Sequence, residues 1–248
     1  MPISIAIAGA SGRLGSRCLA ACLAAEDLQL GAALVSATSA QLGRDAGALA
    51  GLGPQGLLCS RLPEARFDVL LDASLASLLG DWVELCRAQS AALVLAATGH
   101  SQEQLDSLVA LAREVPVLRA PNLALGPNLL ARLVREAAAR LGPAYGVQIE
   151  EVHHAGKRDA PSGTARSLAQ AISEVSGVEA KIESQRRGQV LGDHSVSFRS
   201  ASDTLTLSHS ALKPEIFSEG ALVALRWIVQ QPPGLYSMDD LLDELGSV

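Results

Sequence analysis

Aromatic residues are scarce in this 248-residue chain, at 3% of positions, so any core must be built mainly from Ala, Leu and Val. Basic excess is missing too. The formal net charge of −6 excludes a general nucleic-acid binder, which needs a basic face. It leaves room for a small anionic substrate, for which a few placed cations are enough. No apolar run reaches the roughly 18 residues that span a bilayer. The N-terminus enters Ile3-Ser4-Ile5-Ala6-Ile7-Ala8 with no basic n-region and no apolar stretch of signal length. These absences predict a soluble, cytoplasmic protein with no membrane partner. Cysteine is limited to Cys18, Cys22, Cys59 and Cys86, and no His or second Cys pair beside the first two completes a metal pattern. Reduced thiols packed in a core are expected.

What is present suits a folded chain: 48% of residues are hydrophobic and 19% charged. The length permits one large domain or two small ones. In the first half, apolar strands alternate with helical periods, the signature of βαβ units around a parallel sheet. Strands are predicted at Ile3–Ala8, Leu28–Val35, Val69–Leu71, Ala92–Ala96 and Val117–Leu118, with helices at Arg13–Ala25, Leu78–Gln89 and Gln102–Glu114. Ser101 and Gln104 form a capping-box pattern before the last of these. The Gly- and Ala-rich stretch Gln41–Pro54 reads as a loop, with room for a short helix. After Pro127 the pattern changes. A helix over Asn128–Leu141 stops at Gly142-Pro143, and a strand at Val147–Val152 follows, then a helix at Ala165–Val175. Alternation over Ser195–Arg199 and Thr204–His209 predicts antiparallel strands with one exposed face. Helices at Ile216–Val229 and, behind a Ser237 cap, Met238–Leu245 close the chain.

Two clusters carry chemistry. Gly9-Ala10-Ser11-Gly12-Arg13-Leu14-Gly15 follows a strand and opens a helix, the context in which glycines let backbone amides approach a pyrophosphate. The second strand, however, ends Leu34-Val35-Ser36, and Val35 can neither bind ribose hydroxyls nor repel a 2′-phosphate. Ser36, Thr38 and Ser39 could solvate a phosphate, and Arg13 could reach it. With no arginine directly after Val35, a modest preference for NADPH over NADH is expected.

The second cluster is Glu150-Glu151-Val152-His153-His154-Ala155-Gly156-Lys157-Arg158-Asp159-Ala160-Pro161-Ser162-Gly163-Thr164-Ala165. Ser162 is a good N-cap, so the amides of Gly163 and Thr164 and the positive helix end could cradle a carboxylate or phosphate. Lys157 adds a cation and a proton, while His153 and His154 suit acid–base work. Three readings compete: an anion and proton-transfer site, a solvated strand end with a wet basic loop, and a metal site. Against metal, adjacent histidines on a strand point to opposite faces, and no third ligand is spaced for zinc.

The run Glu151-x-His153-His154-x-x-Lys157-x-Asp159-Ala160-Pro161-Ser162-Gly163-Thr164-Ala165 resembles the signature of the 4-hydroxy-tetrahydrodipicolinate (dihydrodipicolinate) reductases. The similarity extends through Ile5–Ala10, Gly31–Leu34, Asp45-Ala46-Gly47 and Gly192-Asp193-His194 to Gly234–Leu242. It implies an α/β fold: a Rossmann-type parallel-sheet dinucleotide domain, residues 1–123 completed by 214–248, and an α+β substrate and tetramerisation domain, residues 124–213, with a largely antiparallel sheet. It further implies NADPH or NADH as cofactor, a cyclic imine dicarboxylate as substrate and a homotetramer. By resemblance His153 is a proton donor or acceptor and Lys157 a proton donor. His154, Ser162, Gly163, Thr164 and Thr98 would bind substrate. The glycine loop (Gly9, Ala10, Ser11, Gly12, Arg13, Leu14), Val35, Ser36, Ala96, Ala97, Thr98, Ala120, Pro121, Asn122 and Leu123 would line the cofactor. No metal is implied.

The chain departs from the family pattern in several places. Ala96-Ala97-Thr98-Gly99 stands where Gly-Thr-Thr-Gly is usual, and Asp72-Ala73-Ser74 where Asp-Phe-Thr is usual. Leu123 replaces a Phe or Met, Lys213-Pro214 replaces Ser-Arg, and the segment before Arg186 is short. Two other functions therefore stay open: a paralogue reducing another cyclic imino acid, and a non-catalytic nucleotide-binding sensor.

Overall fold

The computed structural model describes residues 1–245. In chain order it contains β1 (Ile3–Ala8), α1 (Arg13–Leu23), β2 (Leu28–Leu34), α2 (Ala46–Leu49), β3 (Val69–Asp72), α3 (Leu79–Gln89), β4 (Ala92–Leu95), α4 (Gln102–Leu111) and β5 (Pro116–Arg119). There follow α5 (Leu125–Leu141), β6 (Gly146–His153), α6 (Gly163–Ser176), β7 (Lys181–Arg186), β8 (Asp193–Arg199) and β9 (Thr204–Ser210). The chain closes with α7 (Ile216–Ile228), β10 (Gly234–Tyr236) and α8 (Met238–Leu245). It divides into two compact units, residues 1–124 with 217–248, and residues 125–216.

Unit 1 holds a six-stranded parallel sheet in the order β10-β5-β4-β3-β1-β2. Every residue of β3 and β4 is buried, as expected of parallel strands covered on both faces. With Phe67 and Trp82 as its aromatics, this core packs Leu70, Leu93, Leu95, Leu108 and Leu111 with small alanines and Val117. The Ser101–Gln104 capping box forms with both reciprocal bonds and starts α4. β10, only three residues long, was too short to register in the sequence as a strand. Strand order reverses about β1, so the loops after β1, β2 and β3 gather at one sheet edge, where doubly wound folds bind ligands.

In unit 2 a four-stranded sheet, β7-β6-β8-β9, lies against α5 and α6. The two strands predicted as antiparallel are so, but the sheet is mixed, because β7 runs parallel to β6. β7 escaped the sequence reading because Lys-Ile-Glu-Ser-Gln-Arg shows little hydrophobic alternation. Helix α5 starts at Leu125, three residues ahead of the expected Asn128; Pro127 sits in its first turn, where no intrahelical N–H is required. Along β6, alternation points Val147, Ile149, Glu151 and His153 to the buried face. The first two pack with Phe198, Leu168 and Ile172, so one row of side chains passes from apolar core into a polar cluster. Among the described residues no helix is long and apolar enough to cross a membrane.

Candidate functional site

In unit 1, Gly9 turns at φ +76°, and a Cβ there would lie 2.6 Å from the Ala73 carbonyl oxygen. A Cβ at Gly15 would lie 2.1 Å from the Gly9 carbonyl oxygen, so the tight approach of loop to α1 requires both glycines. Gly12 is the N-cap of α1 and offers no capping side chain, and the first turn carries no acid. The helix end is thus left open toward a cleft of about 950 Å3. Its lining is drawn from Gly9, Ser11 and Gly12 of the glycine loop, Val35, Ser36 and Thr38 after β2, Arg61, and Trp82 with Leu85 of α3. Behind it, Asp72 is fully buried at the end of β3. Burial pushes its carboxyl upward, opposed by hydrogen bonds from the amide and hydroxyl of Ser74 to Oδ1. Trp82 Nε1 donates to Ser74 Oγ (2.9 Å), which ties α3 to the β3 loop.

In unit 2 the polar end of the sheet is assembled by register. His194 of β8 stands opposite Glu151, while Ser184 and Arg186 of β7 stand beside Glu151 and His153. Arg186 Nη2 donates to Glu151 Oε1 (2.9 Å), and the Ser162 amide donates to the same oxygen (3.3 Å). Burial would raise the Glu151 carboxyl, but hydrogen bonds from Arg186, Ser184 and His153 overcome it and hold it at about 2. Glu151 is therefore a carboxylate, so His153 Nδ1 must be the donor in their hydrogen bond, leaving the lone pair on Nε2. A Cβ at residue 192 would lie 3.1 Å from that Nε2; Gly192 leaves the ring its room. Burial lowers the pKa of His153 against the pull of Glu151, and burial holds His194 at about 4, so both are neutral at pH 7. His194 Nε2 shares a hydrogen bond with Ser162 Oγ (3.1 Å), and that Oγ also accepts from the Ala165 amide (3.1 Å), capping α6. On the loop that leads from β6 to α6, Lys157 Nζ pairs with Asp159 (2.9 Å).

Models of the N-terminal and C-terminal parts of dihydrodipicolinate reductase match residues 3–123 and 126–242. The chain belongs to the dihydrodipicolinate reductase family. A 4-hydroxy-tetrahydrodipicolinate reductase of Magnetococcus marinus is 36% identical over 98% of this chain and 99% of its own. One from Hahella chejuensis is 35% identical over 96% and 98%. A dipicolinate-bound dihydrodipicolinate reductase from Paenisporosarcina sp. TG-14 superposes with a TM-score of 0.80 at 25% identity, covering 96% of this chain and 98% of that one.

Within this family member, Gly9, Ser11, Gly12, Val35 and Ser36 line the unit 1 cleft. Ala10 is buried and donates its amide to the Leu34 carbonyl, while Arg13 and Leu14 begin α1 outside the cleft lining. Ala96 and Ala97 both donate amides to the Asp72 carbonyl, and Thr98 beyond them is exposed. Ala120 and Leu123 are buried, Pro121 is exposed, and Asn122 Oδ1 accepts the Ala124 amide. In unit 2, Ser162 caps α6 and Gly163 and Thr164 are its first residues, while His154 and Lys157 lie on the loop between β6 and α6 and His153 is buried at the end of β6. The sequence reading assigned no role to Glu151, Arg186, His194, Ser74, Trp82 or Arg61. Glu151 could have been found, since i and i+2 share a strand face, and Ser74 and Trp82 meet through a short local loop; Arg186, His194 and Arg61 depend on register. Register also supplies what zinc spacing lacked, gathering ligand atoms of Glu151, His153 and His194 within 4.8 Å. There the guanidinium of Arg186 already provides the cation to Glu151.

Proposed function

We propose that this chain reduces 4-hydroxy-tetrahydrodipicolinate to tetrahydrodipicolinate with NADPH or NADH, in lysine and diaminopimelate biosynthesis. The observation that carries the reading is the capped α6 N-terminus joined through the Ser162 amide to the Glu151–His153 pair, in a chain about a third identical to reductases of that name. The glycine loop of unit 1 fits a dinucleotide, because its cradle depends on absent Cβ atoms and its helix end is open. The nicotinamide, when bound, supplies the hydride.

The protein's own part is positioning and charge. The amides of Gly163 and Thr164, aided by the helix dipole, hold one substrate carboxylate, and His154 the other. Lys157 delivers the balancing proton, with Asp159 holding its Nζ in place. His153 accepts a proton on the Nε2 lone pair and can then donate it, its tautomer set by Glu151 and Glu151 in turn by Arg186. Thr98 contributes a hydroxyl to substrate, while Ala96, Ala97, Ala120, Pro121, Asn122 and Leu123 contribute backbone and apolar surface to the cofactor. The polar outward face of the unit 2 sheet, with Gln148, Glu150, Ser195, Ser197 and Thr206, suits a homotetramer built through this sheet, and the buried, unoxidised cysteines suit the cytoplasm.

The test is a coupled assay that generates 4-hydroxy-tetrahydrodipicolinate in place and follows loss of reduced nicotinamide. Consumption that depends on both substrate and protein supports the reading. Cofactor binding without turnover points instead to a sensor, and turnover of other cyclic imines alone to a paralogue.

A further inference from the structure

The end of β2 is not a bare edge. Leu34 pairs in parallel with Ser60; the Val35 amide donates to the Ser60 carbonyl (2.9 Å) and the Ser60 amide to the Ala33 carbonyl (3.0 Å). The segment leaving α2 therefore runs alongside β2 and finishes level with it. Cys59, 2% exposed, anchors that segment, exchanging backbone hydrogen bonds with Gly43 and Arg44. Ser60 Oγ then donates to the Leu62 carbonyl (2.8 Å) and turns the chain. These contacts deliver Arg61 to the same cleft wall as Val35, Ser36 and Thr38. Arg61 makes no hydrogen bond or ion pair among the described residues. The acids of the cleft, Asp81 and Glu84, stand on α3 with Trp82, and Glu84 is held by Arg87.

We infer that Arg61 binds the 2′-phosphate of NADPH and so sets the cofactor preference, replacing the basic residue that the end of β2 lacks. The inference rests on the nucleotide reading of unit 1. In a doubly wound sheet the adenosine ribose lies at the end of β2, where this chain has Val35 and no carboxylate to repel a phosphate. A guanidinium offers several donors in a planar fork, matched to phosphate oxygens, and carries a permanent charge. Ser36 Oγ and Thr38 Oγ1, 3.4 Å apart, add hydroxyl donors on the same wall. Leu62 and Leu75, 64% and 69% exposed, line the cleft and offer apolar surface to a planar base.

The test measures binding, by calorimetry, of adenosine 2′,5′-bisphosphate and of AMP to the full-length protein and to Arg61→Ala and Arg61→Lys. The wild type should bind the bisphosphate at least about tenfold more tightly than AMP, and increasingly so at low salt. Arg61→Ala should lose that discrimination, Arg61→Lys should keep part of it, and the NADPH:NADH ratio of kcat/KM should fall in step. Arg61 is exposed, so loss of structure is not the expected cause. An Arg61→Ala protein that still discriminates within twofold of wild type overturns the inference, as does a wild type that does not discriminate. A wild type that binds neither nucleotide overturns the nucleotide reading itself, which is a different failure.

Discussion

Replacing Glu151 with Gln keeps the volume of a fully buried side chain and removes its charge. Arg186, 19% exposed at its side chain, then loses its carboxylate, and His153 loses the acceptor that fixes its tautomer. A carboxyl held at about 2 rather than the ordinary 4.5 favours the folded state by roughly 3 kcal/mol at neutral pH. Solvent reaching the exposed Ser184 beside it trims this to about 2 kcal/mol. Because the folded-state value is depressed, this stability is present above the unfolded value near 4.5 and is lost as pH falls toward 2. The loss in Glu151→Gln, read from urea unfolding, should therefore be about 2 kcal/mol at pH 7 and shrink steadily below pH 4.5. His153, His194 and His209 act in a different window. Burial lowers all three, so they stay neutral in the fold and take up protons in the unfolded chain below about 6.5, weakening both proteins as pH falls from there. A gap that stays constant from pH 7 to pH 3, or one below about 0.5 kcal/mol, would refute the reasoning.

Lys157→Ala should lower kcat by roughly 100-fold or more, the usual scale for a general acid, and His154→Ala should raise KM more than it lowers kcat; near-normal kcat in the first removes Lys157 from the mechanism. Dialysis against a chelator should leave activity unchanged, since Arg186 serves Glu151 as its cation; stoichiometric zinc whose removal abolishes activity would contradict this. Val35→Glu should shift kcat/KM toward NADH, chiefly by weakening NADPH, and an unmoved ratio would mean that Val35 does not meet the ribose.

Much of this was legible residue by residue. The glycine loop, the Ser101–Gln104 box and the Ser162 cap are local devices, and each forms where sequence spacing puts it. What escaped depends on pairing between distant segments. Arg186 reaches Glu151 only because a charged, weakly patterned strand adds in parallel to β6, and His194 only because the β6–β8 register sets it opposite Glu151. Arg61 is 26 positions beyond Val35 in sequence, and a single backbone bridge makes them neighbours on one wall. The start of α5 lies ahead of the point that Pro127 suggests, because a first-turn proline costs the helix no hydrogen bond.

The central claim, hydride transfer to a cyclic imine dicarboxylate, is tested most directly by isotope. NADPH carrying deuterium at nicotinamide C4, in each of its two faces, would be supplied with 4-hydroxy-tetrahydrodipicolinate and the product weighed by mass spectrometry. The account predicts that one label, and not its opposite-face counterpart, transfers a single deuterium to tetrahydrodipicolinate. Product without deuterium from either label, or labelled cofactor left unconsumed while it binds, would contradict it.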